Sequence, residues 1–110
     1  MLKKSLLCSL FFANILFASG SEVNVYSQRH YDSDKALFKK FEEKTGIKVN
    51  LITAKAEELV SRLSIEGANS PSDILITADI GNLYEAKERD LLQGVSSKIL
   101  EEHIPAHLRD

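Results

Sequence analysis

From Glu22 onward the apolar positions switch repeatedly between strand-like and helix-like spacing. Glu22 to Tyr26 alternates, with Val23 and Val25 on one face, which predicts a strand. A polar loop, Ser27 to Asp34, follows. From about Asp34 to Lys44 the period becomes helical, with Leu37, Phe38 and Phe41 on one side and lysines and glutamates on the other. Ser33 or Asp34 is expected to cap that helix, and Gly46 to end it in a left-handed turn. Ile47, Val49 and Leu51 alternate again, giving a second strand over Ile47 to Ile52. Leu59, Val60 and Leu63 stripe a second helix from about Ala56 to Glu66, stopped by Gly67. Asn69-Ser70-Pro71 then turns the chain. Asp73 to Thr77 is a short continuous apolar run, the pattern of a buried parallel strand, whose expected neighbours are the first strand and something not yet in the chain. A third helix is predicted from about Gly81 to Leu91, closed by Gln93-Gly94. Ser96 to His103 reads as a further short helix before Pro105.

The order β-α-β-α-β-α implies an α/β fold with right-handed crossovers, parallel strands and helices on the sheet faces. Ligands of such sheets gather at the carboxyl ends of the strands. The loop Ser27 to Asp34 leaves the first strand there, and Ala78-Asp79 leaves the third. Both are therefore expected on one rim. Three strands and three helices over some 90 residues make a thin core, so the pattern reads like the front part of a larger protein.

The first twenty residues do not share this pattern. Lys3 and Lys4 precede an almost wholly apolar stretch from Leu6 to Phe17, and Ala18, Ser19 and Gly20 are small. Basic, apolar, then small is the order of a secretory signal peptide, cleaved after Gly20 or after Ala18. The alternative, an uncleaved anchor, needs an apolar run of about 20 residues, longer than this one. Residues 1–20 are thus read as a signal peptide and 21–110 as the secreted mature chain. Cys8, the one cysteine, lies inside the leader and too early for a lipoprotein cleavage site, so no disulfide is expected.

Charge narrows the classes further. Removing Lys3 and Lys4 from 14 basic residues leaves 12 against 16 acidic ones, a net charge of −4 for the mature chain. Its basic residues are spread out, with no stripe suited to nucleic acid. Lys39-Lys40 and Glu42-Glu43 read as a solvated helix face. No GxGxxG, P-loop, GxSxG or HExxH occurs, and nothing assembles a nucleophile with a base, so no enzymatic role is expected.

The chemistry concentrates in the first loop, "NVYSQRHYDSD". His30 and Tyr31 are adjacent there, and three readings stand: a metal site, an anion site or a solvated turn. Imidazole suits many transition metals. A phenolate is anionic and hard, and a strongly Lewis-acidic ion is needed to displace its proton. The pair therefore fits ferric iron better than calcium or magnesium. Arg29 could hold an anion beside the following helix N-terminus, or could be a solvated charge. Asp79 could act as a rim ligand or as a phosphate acceptor in a receiver-like or enzymatic domain; its other reading is a helix cap. His103 and His107 have metal-ligand spacing, but Pro105 between them argues against one regular helix. Tyr84 reads as core or rim packing.

Three stretches carry a family resemblance: "YSQRHYDSD", "FEEKTGIKVNLI" and "EGANSPSDILITADIGNLYEAKERDLLQ", with "IPAHLRD" near the end. Together they resemble the start of the periplasmic ferric-iron-binding proteins of ABC importers, in the type II, transferrin-like branch of the two-lobed solute-binding proteins. The resemblance covers Glu22 to Asp110. It implies that the chain is the truncated N-terminal part of a first lobe. It also implies Fe(III) as transported ligand, an inner-membrane ABC permease as partner and a monomeric protein. By the same resemblance His30 and Tyr31 are metal ligands; Arg29, from its place beside the helix N-terminus, is a candidate outer or anion-binding group. The family's other ligands are mainly later tyrosines, including an adjacent pair, whereas this sequence has Tyr26, Tyr31 and Tyr84 alone. An incomplete iron site is therefore expected. A binding protein for another solute, an oxyanion or a polyamine, is the alternative within the class.

Overall fold

The structure, a computed structural model, describes residues 20–109. Residues 1–19 of the expected leader, Cys8 included, lie outside them. Among the described residues the strands are β1 (Glu22–Ser27), β2 (Lys48–Thr53) and β3 (Ile74–Ile76). The helices are α1 (Asp32–Thr45), α2 (Ala56–Glu66), α3 (Ile80–Glu88) and α4 (Lys98–His103), with 3₁₀ turns at Gly67–Asn69 and Ala106–Leu108. The fold is α/β, and the three strands form one parallel sheet in the order β2-β1-β3.

β1 occupies the centre. It pairs with β2 from Glu22↔Lys48 to Ser27↔Thr53 and with β3 from Val25↔Ile74 to Ser27↔Ile76. Asp73 extends the second pairing: its backbone N–H donates to the Asn24 carbonyl, and its carboxylate accepts from the Asn24 N–H, both at 2.8 Å. Central position explains burial. Val25, Tyr26 and Ser27 are all buried, whereas β2 and β3 have no buried residue.

Strand order also fixes the faces. The chain steps from β1 to β2, then back across β1 to β3. With right-handed crossovers, α1 and α2 lie on opposite faces of the sheet. α3 packs on α2. The core sits on the α2 face, where Tyr26, Leu59 and Leu63 pack together with Ala54, Leu75 and Leu91. The Tyr26 hydroxyl ends this core in a polar knot. It donates to both carboxylate oxygens of Glu66, at 2.9 and 3.1 Å. Glu66 also accepts from Arg62 Nε at 2.7 Å and Ser70 Oγ at 2.6 Å, and the Arg62 guanidinium lies 4.9 Å from the Tyr26 ring centre. Burial, then the Glu66 hydrogen bond, pushes the Tyr26 phenol up from its ordinary pKa. Ser70 and Arg62 hold the Glu66 carboxyl below its own.

Several sequence expectations need correction. α1 begins at Asp32, and its N-cap is Tyr31, not Ser33 or Asp34; no side chain caps it. The loop is thus shorter than expected, because the first turn closes early through hydrogen bonds from the Asp34 and Lys35 N–H groups to the Tyr31 carbonyl. No residue of α1 is buried, and Leu37 is 64% exposed, so its apolar stripe is not part of the core. Gly46 does end α1 as expected: at φ +72° its N–H reaches the Glu42 carbonyl at 2.8 Å. α3 stops at Glu88, short of Leu91, because Asp90 turns left-handed at φ +54°. β3 is a three-residue edge strand, bonded to β1 alone among the described residues. His103 closes α4 and His107 lies in a separate 3₁₀ turn, so they share no helix face. No helix among the described residues is long and apolar enough to cross a membrane.

Candidate metal rim

The loop after β1 leads to α1 on one face of the sheet; the loop after β3 leads to α3 on the other. Adjacent strands whose following helices diverge to opposite faces leave a crevice at their carboxyl ends, where open α/β sheets bind ligands. Arg29, His30 and Tyr31 flank that crevice on the β1 side, and Asp79 flanks it on the β3 side. Gln28 joins the two loops. Its backbone N–H donates to the Ile76 carbonyl, and its side-chain oxygen accepts from the Ala78 N–H, each at 2.9 Å. The rim expected from the strand order is present.

The loop is held from below by Ser27, the last residue of β1. Its hydroxyl accepts from the Arg29 N–H and donates to the Arg29 carbonyl, both at 3.0 Å. At 2% exposure it is a buried polar group, and these two bonds satisfy it locally. They fix the turn that lifts the next two residues into solvent.

His30 and Tyr31 are both exposed, Tyr31 at 56%, and their rings stack with centres 5.6 Å apart and planes 22° from parallel. Tyr31 occupies a helix N-cap, a position that favours Ser, Thr, Asp or Asn because their oxygens bond the free N–H groups. A phenol does not do this here, and the acidic first-turn residues Asp32 and Asp34 complement the helix dipole instead. A ring that departs from the local rule and faces solvent at a ligand crevice is a functional candidate on physical grounds. Imidazole nitrogen and phenolic oxygen are ligand types that suit ferric iron. Two neighbouring residues do not complete a coordination sphere, and among the described residues no three His, Cys, Asp or Glu side chains gather.

Arg29 stands behind the pair. Its Nε and Nη2 donate to the two carboxylate oxygens of Asp34, each at 2.9 Å, and its guanidinium carbon lies 5.3 Å from the Tyr31 ring centre. The Asp34 hydrogen bond and then its charge raise the Arg29 pKa above its ordinary value.

Asp79 is committed to a helix. Its Oδ1 accepts from the Asn82 backbone N–H at 2.9 Å and its Oδ2 from the Asn82 side chain at 2.8 Å, and those bonds hold its carboxyl below the ordinary range. The structure therefore gives Asp79 the cap role. Tyr84 is exposed on α3. A surface groove also runs along α2, lined by Glu57, Glu58, Ser61, Arg62, Ile65 and Glu66. Its lining contains no His or Tyr.

Sequence reasoning singled out His30, Tyr31 and Arg29 as candidates but not the contacts that Asp34 and Gln28 make to this loop. An acidic residue five positions after an arginine, across a loop-to-helix boundary, was the available signal for Asp34. Gln28 had none.

Comparison with known proteins agrees with this architecture. The family model described as bacterial extracellular solute-binding protein matches residues 26–109. Iron uptake protein A1 of Synechocystis sp. is 52% identical over 88 residues, 80% of this chain and 24% of that protein. The structure of the ferric binding protein from Campylobacter jejuni is similar at a TM-score of 0.78 and 68% identity, over 80% of this chain and 28% of that one. The structure of Trichodesmium IdiA (FutA) in complex with iron and citrate ligands is similar at a TM-score of 0.78 and 50% identity, over 82% of this chain and 28% of that one. The chain spans about a quarter of the length of these relatives.

Proposed function

Since the chain belongs to the bacterial extracellular solute-binding proteins, we propose that it carries one part of a ferric-iron site of a periplasmic iron-uptake system. The observation that carries this reading is the adjacent, stacked and exposed His30 and Tyr31 at the carboxyl end of the central strand. Iron uptake and ferric binding in the names of similar proteins support it. His30 supplies an imidazole nitrogen and Tyr31 a phenolate oxygen to Fe(III), which is cargo and not a resident cofactor. An ABC permease in the inner membrane would receive that cargo. The role is binding and delivery, without catalysis.

Two ligands from one loop hold a ferric ion weakly, because its remaining positions stay with water or a competing anion. Purified chain titrated with ferric citrate is therefore expected to show at most a faint tyrosinate-to-iron absorbance. The faint band should vanish in Tyr31→Phe and persist in Tyr84→Phe. A strong band at stoichiometric iron would refute the two-ligand reading, and a band unaffected by Tyr31→Phe would refute Tyr31 as ligand.

A further inference from the structure

We infer that Arg29 is a positioning residue for Tyr31, locked by Asp34 as a brace behind the phenol, and not an arm that captures an anion. The clamp stands on geometry alone; its use in iron binding rests on the reading of Tyr31 as a ferric ligand.

Three observations converge on it. The Arg29 backbone is anchored at both its N–H and its carbonyl by the buried Ser27 hydroxyl. The side chain is fixed by a two-point fork onto Asp34, with both bonds at 2.9 Å. A guanidinium bound by two parallel hydrogen bonds loses its freedom to swing and keeps one plane. That guanidinium lies against the Tyr31 ring, within cation–π range at 5.3 Å, while His30 stacks on the same ring.

The circuit then closes on itself. Asp34, which holds Arg29, donates its own backbone N–H to the Tyr31 carbonyl at 3.1 Å. Side chain and main chain of Tyr31 are thus tied to the same two residues. Tyr31 lacks the capping bond that would otherwise hold a helix N-terminus, and the Arg29–Asp34 pair supplies the missing restraint. The same pairing answers the anion question. Nε and Nη2 form one of the two edges with which arginine grips a carboxylate or phosphate, and Asp34 fills that edge and offsets the charge. A free oxyanion would have to displace an intramolecular carboxylate to use that edge, and would meet a charge already paired at the other.

The deciding experiment needs no metal. Ring resonances of Tyr31 are assigned by Tyr31→Phe in the carbon-13 NMR spectrum of tyrosine-labelled chain. They are then followed in Arg29→Gln, Arg29→Lys and Asp34→Asn, with far-ultraviolet circular dichroism confirming that each variant is folded. All three are expected to shift the Tyr31 ring signals and leave those of Tyr26 and Tyr84 in place. Lysine is expected not to rescue, because it keeps the charge but cannot form the fork. Unmoved Tyr31 signals in Arg29→Gln and Asp34→Asn, or a wild-type spectrum in Arg29→Lys, would overturn the clamp. Phosphate or citrate titrated into the wild-type chain should not displace the Tyr31 signals, and displacement that Arg29→Gln abolishes would restore the anion role. With Fe(III) citrate as the probe, Arg29→Gln is expected to lower the faint iron absorbance at a given iron concentration by about tenfold, as loss of a group supporting a ligand does. If Tyr31→Phe leaves that absorbance intact while the ring shifts occur, the ferric reading fails and the clamp stands.

Discussion

α1 and α2 are both amphipathic crossover helices, set on opposite faces of one sheet, and they meet different fates. α2 buries Ala56, Leu59, Val60 and Leu63, while α1 buries nothing. Their apolar spacing does not explain this, since both stripes recur at helical intervals. Position does. α2 crosses the central strand, meets Tyr26 and Leu75, and is flanked by α3. Among the described residues α1 packs on no helix to any extent and rests against β2, an edge strand. An apolar stripe states what a helix can bury; the neighbours decide what it does bury.

Substitutions in the two helices test that difference most strongly. Leu59→Ala is expected to cost about 3 kcal/mol of stability, combining lost transfer energy with a cavity in the packed face. Leu37→Ala on α1 is expected to cost less than about 0.5 kcal/mol, as at an exposed surface position. Urea unfolding of both measures the contrast, and equal costs would break it.

Smaller effects sharpen it. Tyr26→Phe removes the hydroxyl that ties the α2 core to Glu66 and is expected to cost about 1 kcal/mol in the same assay. Asp79→Ala should lower the melting temperature by uncapping α3. Asp79 and Glu66 both have carboxyls held below their ordinary values of 3.8 and 4.5. Their contribution to stability is present above those values and is lost as pH falls through the depressed ones. Thermal melts from neutrality into strong acid should therefore show a loss beginning below about pH 4.5, with a shallower acid limb in Asp79→Ala. The smallest effect is a gain. Tyr31→Ser places a capping hydroxyl at the start of α1 and is expected to add about 0.5 kcal/mol, while removing the candidate phenolate. A variant that melts higher and loses its iron absorbance would show that α1 gives up a cap for its ligand.

Much of this was legible in the chain, in an uneven way. The alternation of Val23 and Val25 and the stripe of Leu59, Val60 and Leu63 report local geometry, and both elements form where expected. The carboxyl-end rim followed from strand order alone, so His30, Tyr31 and Asp79 could be placed near one crevice. The N-terminus of α1 was misplaced because cap preferences favour Ser33 and Asp34 over a tyrosine. The end of α3 was misplaced because Gln93-Gly94 is a stronger stop signal than Asp90, which nevertheless turns first. That α1 buries none of its residues could not be read from the chain, because periodicity carries no information about neighbours. The Tyr26–Glu66 bond spans 40 residues, and the Arg29–Asp34 fork crosses a loop-to-helix boundary. Neither falls under a spacing rule.

The central place of β1 has a consequence for how the molecule comes together. β1 is made before either of the strands it pairs with, and neither is joined to it by a tight hairpin. Its partners arrive 26 residues later, where Asn24 meets Asn50, and 49 residues later, where Asn24 meets Asp73. Closing the longer loop costs roughly 0.6 kcal/mol more than the shorter, since the separation nearly doubles. The β1–β2 ribbon should form early and serve as the template onto which β3 is added. The crevice beside His30 and Tyr31 lies between β1 and β3, so among these three strands it is assembled after the β1–β2 ribbon. As the chain emerges during synthesis, the candidate ligands exist long before the wall they face.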